Sequence, residues 1–578
     1  MKKKSYVFSF ATILIVIILS NIVLSKDKTW DQPQHDISET PTKEQIYSNV
    51  ENLALLCKIW GFMKYYHPEV RAGKYDWDKE LFSIIPSFNC VPSKEKRNEI
   101  LTEWVNKFDI AMKIGFEEAL LPNSVKMYPD IDWIKDDANL GTPLATKLKK
   151  IYNAERDTFS YYAMWSELPT KFFRNEKKYP ECEFPNTSYQ LLSLFRLWNV
   201  VQYYFPYKYL LKKDWNETLT DYIPLFLNIA NRDDYESAVM RLATEIHDSH
   251  TNVYGNRKRN KYLIPVMVRF VEGKAMVTKY HKKQYGYRGP VDSTLQVGDI
   301  LLRIKDEPID SFVKRLTPYR PSSNKTALLR DIATLDLLWT NEKELEVEYE
   351  RNGIVLEKVI KCIHKDSIKM SFFKENLPLI TSLPSDILYL YMGSATGGEM
   401  PTDIKEKGVI IDLRNYPSSS KIKGYWNYEL LYPSPTDFGR ATYVSALYPG
   451  LFTFQRIIKE GKENKNYYQG PKVILVNEVT QSHAEFMAMK YRCTPNTIVM
   501  GSQTAGADGN ITNIALPGYL FVTFTGLGVY YPDKSETQQI GIIPDIEVKS
   551  TIQGIREGRD EVLEAAVKYI NNQIKLKP

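Results

Sequence analysis

Cysteine is scarce in this chain, five in 578 residues, and Cys57, Cys90, Cys182, Cys362 and Cys493 lie far apart. No pair has metal-ligand or redox spacing, and an odd, scattered set excludes a disulfide framework as what holds the fold together. Charge of one sign is lacking too. There are 76 Lys and Arg against 70 Asp and Glu, and Lys2, Lys3 and Lys4 supply half of the +6 excess. That balance gives no argument for a nucleic-acid partner, and the basic residues have no aromatic interleaving of the kind that binds single strands. No His-Glu-x-x-His, calcium loop, phosphate-binding loop or strand-linked dinucleotide fingerprint is present, so neither a metal nor a small-molecule cofactor is expected. Glycine (28) and proline (31) are too few for a fibrous chain, and 43% hydrophobic with 25% charged residues is a globular composition.

Long apolar runs are confined to the beginning. Lys2-Lys3-Lys4 precedes an almost wholly apolar stretch, Tyr6 to Leu24, which Lys26-Asp27-Lys28 ends after the small Ser25. Residues 1–25 read as a signal peptide, or alternatively as a retained membrane anchor. Either way the bulk of the chain is expected outside the cytoplasmic membrane, periplasmic or extracellular.

The next 230 or so residues (about one to two domains' worth) carry two similar segments, LALLCKIWGFMKYYHP and LLSLFRLWNVVQYYFP. Trp60 matches Trp198, Tyr65-Tyr66 matches Tyr203-Tyr204, Pro68 matches Pro206, and Asp76-Trp77 matches Asp214-Trp215. Apolar residues recur at three and four positions, so each segment opens with an amphipathic helix that a proline ends. The aromatic pairs fit core packing or a groove for an extended chain. Residues 91–185 are charged and poor in periodicity. From Tyr262 the period becomes two, with IPVMVRF, KAMVTKY, LQVGDILLRI and a hairpin ELEVEYE/EKVIKC turning at Asn352-Gly353, plus helix text at about 313–337. From about 385 short β-branched runs, ILYLYMG, GVIIDLR, KVILVNE and TIVMGS, read as strands buried on both faces with helices between them. A last helix is expected from Arg556 to Asn572.

Four places could carry chemistry. The run from Val473 to Glu485 is a buried strand, a turn, and a helix beginning at Ser482. N–H groups at a helix start lack intrahelical acceptors and can hold an oxyanion when that serine attacks a carbonyl. The plainer reading makes Ser482 a cap, with Glu485 completing a capping box. A serine needs a base. His250, in the polar text HDSHTNVYG, is the candidate, with His247 an end cap and His483 adjacent to the serine. Gly501-Ser502-Gln503-Thr504-Ala505-Gly506-Ala507 is a glycine-rich turn after a strand, and Gln538 to Ile546 forms another tight turn.

Taken in this order, these blocks resemble the tail-specific, C-terminal-processing serine peptidases, in particular their tricorn-core-like branch, over roughly residues 190–570. VILVNEVTQSHAE is similar to that family's nucleophile segment, IIDLRNYP to its strand before the oxyanion loop, and GSQTAG and GIIPDIEV to its next two blocks. LQVGDILLRI resembles part of a PDZ-like domain. The resemblance implies a multidomain α+β chain. Its divisions are residues 26–185, mostly helical with the first similar segment; 186–260, the second segment leading to the His250 loop; 261–368, a PDZ-like β module; and 369–578, an α/β catalytic domain of the ClpP/crotonase-like type. It implies Ser482 as nucleophile, His250 as base and Ser249 as orienter of a distant carboxylate. The oxyanion hole would come from N–H groups near Ser418 and of His483, and Gly506 and Ala507 would lie against substrate. The family's lysine position is Ala507, which closes a Ser–Lys route. Its glutamate falls on Gln538, with Glu536, Asp248 and Glu485 as other carboxylates, and Ser418-Ser419-Ser420 stands where glycines are usual. The expected function is an exported serine peptidase acting on extended polypeptides. The alternatives are a peptide-binding protein on the same fold, or an esterase.

Overall fold

The computed structural model describes residues 43–576 except 89–90, 111–112, 116–122, 167–169, 181–183, 256–259, 284–293, 370–376 and 426–428, so the N-terminal apolar run, Cys90 and Cys182 lie outside it. Among the described residues no helix is long and apolar enough to cross a membrane.

The first region is helical: α1 (Lys43–Tyr66), α2 (Trp77–Ile84), α3 (Lys94–Asn106), α4 (Thr142–Tyr152), α5 (Thr187–Tyr204), α6 (Trp215–Leu227) and α7 (Arg232–Thr244). α1 and α5 stop just before Pro68 and Pro206, whose rings cannot continue a helix. Both similar segments then make the same closure. Trp60 and Trp77 each donate an indole N–H to the other's carbonyl, at 3.1 and 3.0 Å, and Trp198 and Trp215 do so at 2.7 and 3.0 Å. The tyrosine pairs face one another, with Tyr65 5.5 Å from Tyr203 and 5.0 Å from Tyr204 between ring centres, and all four are buried. Their aromatic area is in the core, which removes the groove reading. The charged stretch 91–185, unreadable by period, contributes α3 and α4 to the same core.

After α7 comes β1 (Asn252–Tyr254), then a six-stranded antiparallel sheet. Five of its strands are β2 (Val266–Val271), β3 (Lys274–Tyr280), β4 (Ile300–Ile304), and, beyond helices α8 (Ile309–Leu316) and α9 (Lys325–Leu335), β5 (Glu344–Arg351) and β6 (Ile354–Lys361); the sixth is the two-residue Glu307–Pro308, which pairs with β4 at its edge. Its order is β6-β5-β4-β3-β2. The β5–β6 turn falls on Asn352 and Gly353, both at positive φ (51° and 81°), the geometry that a two-residue hairpin asks for.

The third region has a mixed sheet in the order β7 (Ile380–Leu383), β8 (Ile387–Tyr391), β9 (Gly408–Asp412), β10 (Lys472–Val476), β11 (Thr497–Gly501) and the short β14 (Ile546–Glu547); only β7–β8 is antiparallel. α10 (His483–Arg492) joins β10 to β11. Between β11 and β14 lies a hairpin of β12 (Ile511–Leu516) and β13 (Leu520–Thr525). The expected last helix is broken: a short helix Ile552–Arg556 ends before Gly558 (φ 71°), and α11 (Glu561–Leu576) begins beyond it. α11 buries Val562, Ala566 and Ile570 on one face of the sheet, against Ile387, Ile410, Val473 and Leu475. The two larger side chains contribute about 1.5–3 kcal/mol each. The opposite face packs α10 through Met487, Ala488 and Met489.

Two joins position the site. β1 pairs antiparallel with β13, Asn252 opposite Thr523, so the loop ending in His250 is stitched to a hairpin from the far end of the chain. The other face of that hairpin, Ile514, Leu516, Leu520, Val522 and Phe524, lies in the core of the helical region. The cut placed between that region and the α/β region therefore does not divide the packing.

Candidate active site

Ser482 stands where β10 turns into α10. Its φ and ψ are 56° and −120°, a region open mainly to glycine. Holding a serine there costs of order 1–3 kcal/mol and persists only when its surroundings over-determine it. They do. Ser482 N–H donates to Ala507 O (2.9 Å) and to Glu485 Oε2 (3.1 Å), and Ala505 N–H donates to Thr480 O (3.0 Å). Glu485 is buried and also accepts from the Thr504 hydroxyl, Gly506 N–H (2.8 Å) and Ala507 N–H (3.1 Å). Burial raises its pKa although all these donors oppose the shift. The cap reading of Glu485 is thus correct as far as it goes, and the same carboxylate fixes the glycine turn beneath Ser482.

This geometry corrects two expectations. Gly506 and Ala507 are buried, and their N–H groups serve Glu485, while their carbonyls accept from Gln539 and Ser482. They are staples under the serine, with both N–H groups already engaged. Gly506 has φ 69°, and a Cβ there would meet the Gln539 backbone at 2.8 Å, so only glycine fits. Ser418 N–H, expected in the oxyanion hole, donates to Met392 O at 2.9 Å. What remains at that place is the Ser418 hydroxyl, buried without a hydrogen-bond partner. His483 opens α10, a position whose N–H the helix itself does not use. Its ring stacks on Tyr425 (5.2 Å, 26°), and burial pushes its pKa down to about 3.

The His250 loop meets this turn directly. Gln481 Nε2 donates to Ser249 O (3.1 Å), and the Ser249 hydroxyl donates to Ala505 O (3.1 Å). Ser249 is completed by Ser323, which precedes α9: each backbone N–H reaches the other's hydroxyl oxygen, at 2.8 and 2.9 Å. Ser249 therefore orients no carboxylate; its partners are Ala505 and Ser323. Two further residues of the β-rich region reach the same loops. Asn324 donates to Thr504 O (2.9 Å), and Arg330 donates to Glu478 O (2.8 Å).

His250 Nδ1 lies 2.9 Å from Thr525 Oγ1, and its Nε2 is buried with no partner. Burial lowers the His250 pKa most; Asp248 raises it and Arg330 lowers it further. Asp248 is fully buried. It accepts from His250 N–H (3.1 Å), Gln538 Nε2 (3.1 Å) and Thr525 N–H (2.7 Å). Gln538 is thus a neighbour of Asp248 rather than of the imidazole. Glu536 is elsewhere, paired with Lys126 (2.5 Å) and accepting from Tyr209 (2.8 Å). Sequence reasoning missed Thr525, Ser323 and Tyr416, whose hydroxyl is hydrogen-bonded with that of Ser482. Tyr416 lay inside the quoted IIDLRNYP, but nothing in that text marks a contact with residue 482.

A strained serine between a parallel strand and a helix, beside a loop that carries a buried histidine, is a geometry in which a serine can act as a nucleophile. Residues 401–548 match the model of peptidase family S41, a match that supports a serine-type peptidase hydrolase. A protein of Chlamydia trachomatis serovar D is 28% identical over 130 residues, 21% of this chain; the chain spans about a fifth of that relative's length, 21%. Two solved structures share the fold at 15% identity: mature CPAF, TM-score 0.50 over 68% of this chain and 98% of that one, and a CPAF mutant, TM-score 0.53 over 67% and 98%.

Proposed function

We propose that this protein is an exported serine peptidase that hydrolyses peptide bonds in extended polypeptides, with Ser482 as nucleophile and His250 as base. The observation that carries the reading is the strained backbone of Ser482, held by Ala507 and Glu485 while Gln481 and Ala505 bind the His250 loop. Ser482 Oγ attacks the scissile carbonyl carbon as its proton passes to His250 Nε2. The C–N bond breaks as that proton moves to the leaving amine, and water then repeats the sequence on the acyl-serine, releasing the acid and restoring Ser482. His483 N–H and the Ser418 hydroxyl are the donors assigned to the oxyanion. The β2–β6 sheet with α8 and α9 is read as the PDZ-like module, and residues 1–25 as the export segment. Mature protein beginning at Lys26 would support a cleaved signal over an anchor.

A peptide-binding protein without turnover is the second reading, favoured by the use of Ser418 N–H within the fold. A diverse peptide pool incubated with the protein and with Ser482→Ala, and read by mass spectrometry, separates the two. Products made by the parent and absent with the variant establish the peptidase. Peptides retained by both and cut by neither establish the binding protein.

A further inference from the structure

The contacts around His250 differ from those of a histidine steadied directly by a carboxylate. Its Nδ1 faces a threonine hydroxyl, and the nearest acid, Asp248, touches the residue through its backbone N–H. Thr525 grips both groups at once, the ring through its hydroxyl and Asp248 through its N–H (2.7 Å). Gln538 donates to the oxygen of Asp248 that also takes His250 N–H. All three groups around Asp248 are donors, which suits a buried acceptor and leaves no place for a second acid beside it. Of the two residues, 248 and 538, only one carries a charge, and it is 248.

We infer that Thr525 and Asp248 are the positioning residues of the proposed peptidase: Thr525 Oγ1 fixes the imidazole with its proton on Nδ1, and Asp248, held by Gln538, supplies the negative charge that steadies the imidazolium. This rests on the reading of His250 as base. It deepens that reading by naming what orients the ring and where the compensating charge resides. With Nδ1–H donating to Thr525, Nε2 presents its lone pair, and that nitrogen is the one left without a partner. The charged groups acting on the ring are Asp248, which favours its protonated form, and Arg330, which opposes it. A glutamine at 538 follows from the same arrangement. Its amide N–H satisfies Asp248, whereas a second carboxylate there would force the pair to share a proton.

The test compares the full chain with Asp248→Asn, Thr525→Val, Ser482→Ala and the double variant Asp248→Asn/Gln538→Glu, which moves the charge across the contact. Two readouts are taken from each: the titration of His250 by NMR with isotope-labelled histidine, assigned through His250→Asn, and kcat and KM on a peptide from the pool. Asp248→Asn should move the His250 titration to lower pH and reduce kcat by about 10²-fold or more with little change in KM. The double variant should recover at least about tenfold of that loss and return the titration upward. Thr525→Val should cost about three- to tenfold in kcat and abolish the preference for the Nδ1–H tautomer. Melting temperatures identify any variant that fails to fold. The charge-swapped pair then carries the test, because it restores the number of buried charges. A His250 titration that ignores Asp248→Asn, or a folded double variant no better than the single, would overturn the inference. Failure of the peptidase reading is a different result: no Ser482-dependent turnover in the parent, with the His250 titration still following residue 248.

Discussion

Two buried polar clusters sit in this molecule and are built differently. In the helical region Lys64, Glu176, Arg196 and Asp78 form a closed set of two cations and two anions. Lys64 pairs with Glu176 at 2.6 Å, Arg196 pairs with Glu176 at 3.0 Å and with Asp78, and Tyr179 donates to Asp78 at 2.8 Å. The side chains are nearly or wholly out of solvent, yet each charge faces an opposite one. The set ties the first similar segment to the second. At the site, by contrast, one anion and one imidazole are surrounded by hydroxyls and amides, and several atoms are left over: His250 Nε2, Gln538 Oε1 and the Ser418 hydroxyl are buried without partners. Orphaned buried groups cost free energy, roughly 1–3 kcal/mol each. The first cluster also holds atoms without a well-aligned hydrogen bond, Lys64 Nζ, Arg196 Nε and both Glu176 oxygens, but each of these lies in an ion pair at 2.6 or 3.0 Å. The three neutral site atoms do not have that compensation, and the difference has a reason. The reason offered here is that a serine hydroxyl, a proton and an oxyanion complete the site during turnover.

That contrast can be broken or sharpened in five ways, taken from the largest effect. Ser482→Ala should remove turnover by about 10⁴-fold or more. Ser482→Gly should do the same while raising the unfolding free energy by about 1 kcal/mol, because glycine relieves the left-handed backbone. Urea unfolding of both variants checks this, and a destabilised glycine variant would mean the turn is not strained. Arg196→Met should cost about 3–5 kcal/mol in the same assay, since Asp78 would be left without its cation. A loss below about 1 kcal/mol would show that the closed set does not hold the helical segments together.

Ser418→Ala sharpens the contrast. It deletes a hydroxyl that bonds to nothing in the resting fold, so stability should change little, while kcat should fall about 10²-fold if that hydroxyl meets the oxyanion. An unchanged kcat would return the oxyanion role to other donors. The smallest effect is in pH. His250 works only when neutral, and burial with Arg330 holds its pKa below the ordinary 6.5 despite Asp248. The acid limb of kcat/KM should therefore lie below pH 6.5, and a limb at or above that value would contradict the assignment. Stability carries the same sign. With the folded pKa lowered, the contribution of His250 is present above pH 6.5 and lost as pH falls through the lowered value.

What could be read beforehand was local. The strands at 387, 408, 472 and 497, the Asn352-Gly353 hairpin and the helix opening at Ser482 all follow from periodicity and turn chemistry within a few residues. The proline stops of α1 and α5 are of the same kind. What escaped were contacts across long separations. Thr525 is 275 residues from His250, Ser323 is 74 from Ser249, and Gln538 is 290 from Asp248. A threonine late in a strand carries no mark that its hydroxyl meets an imidazole. The glycine turn shows the converse limit. Its text was legible as a block, but only the fold reveals that Glu485 takes the N–H groups of Gly506 and Ala507, which turns an expected substrate surface into a support.

The most direct measurement is active-site labelling, which needs no knowledge of the substrate. The protein is treated with a fluorophosphonate, and the modified residue is located by peptide mass mapping. The account predicts a single adduct on Ser482, formed fast in the parent, strongly slowed in His250→Ala and absent in Ser482→Ala. A folded protein that leaves Ser482 unmodified, or labels it equally fast without His250, would contradict it.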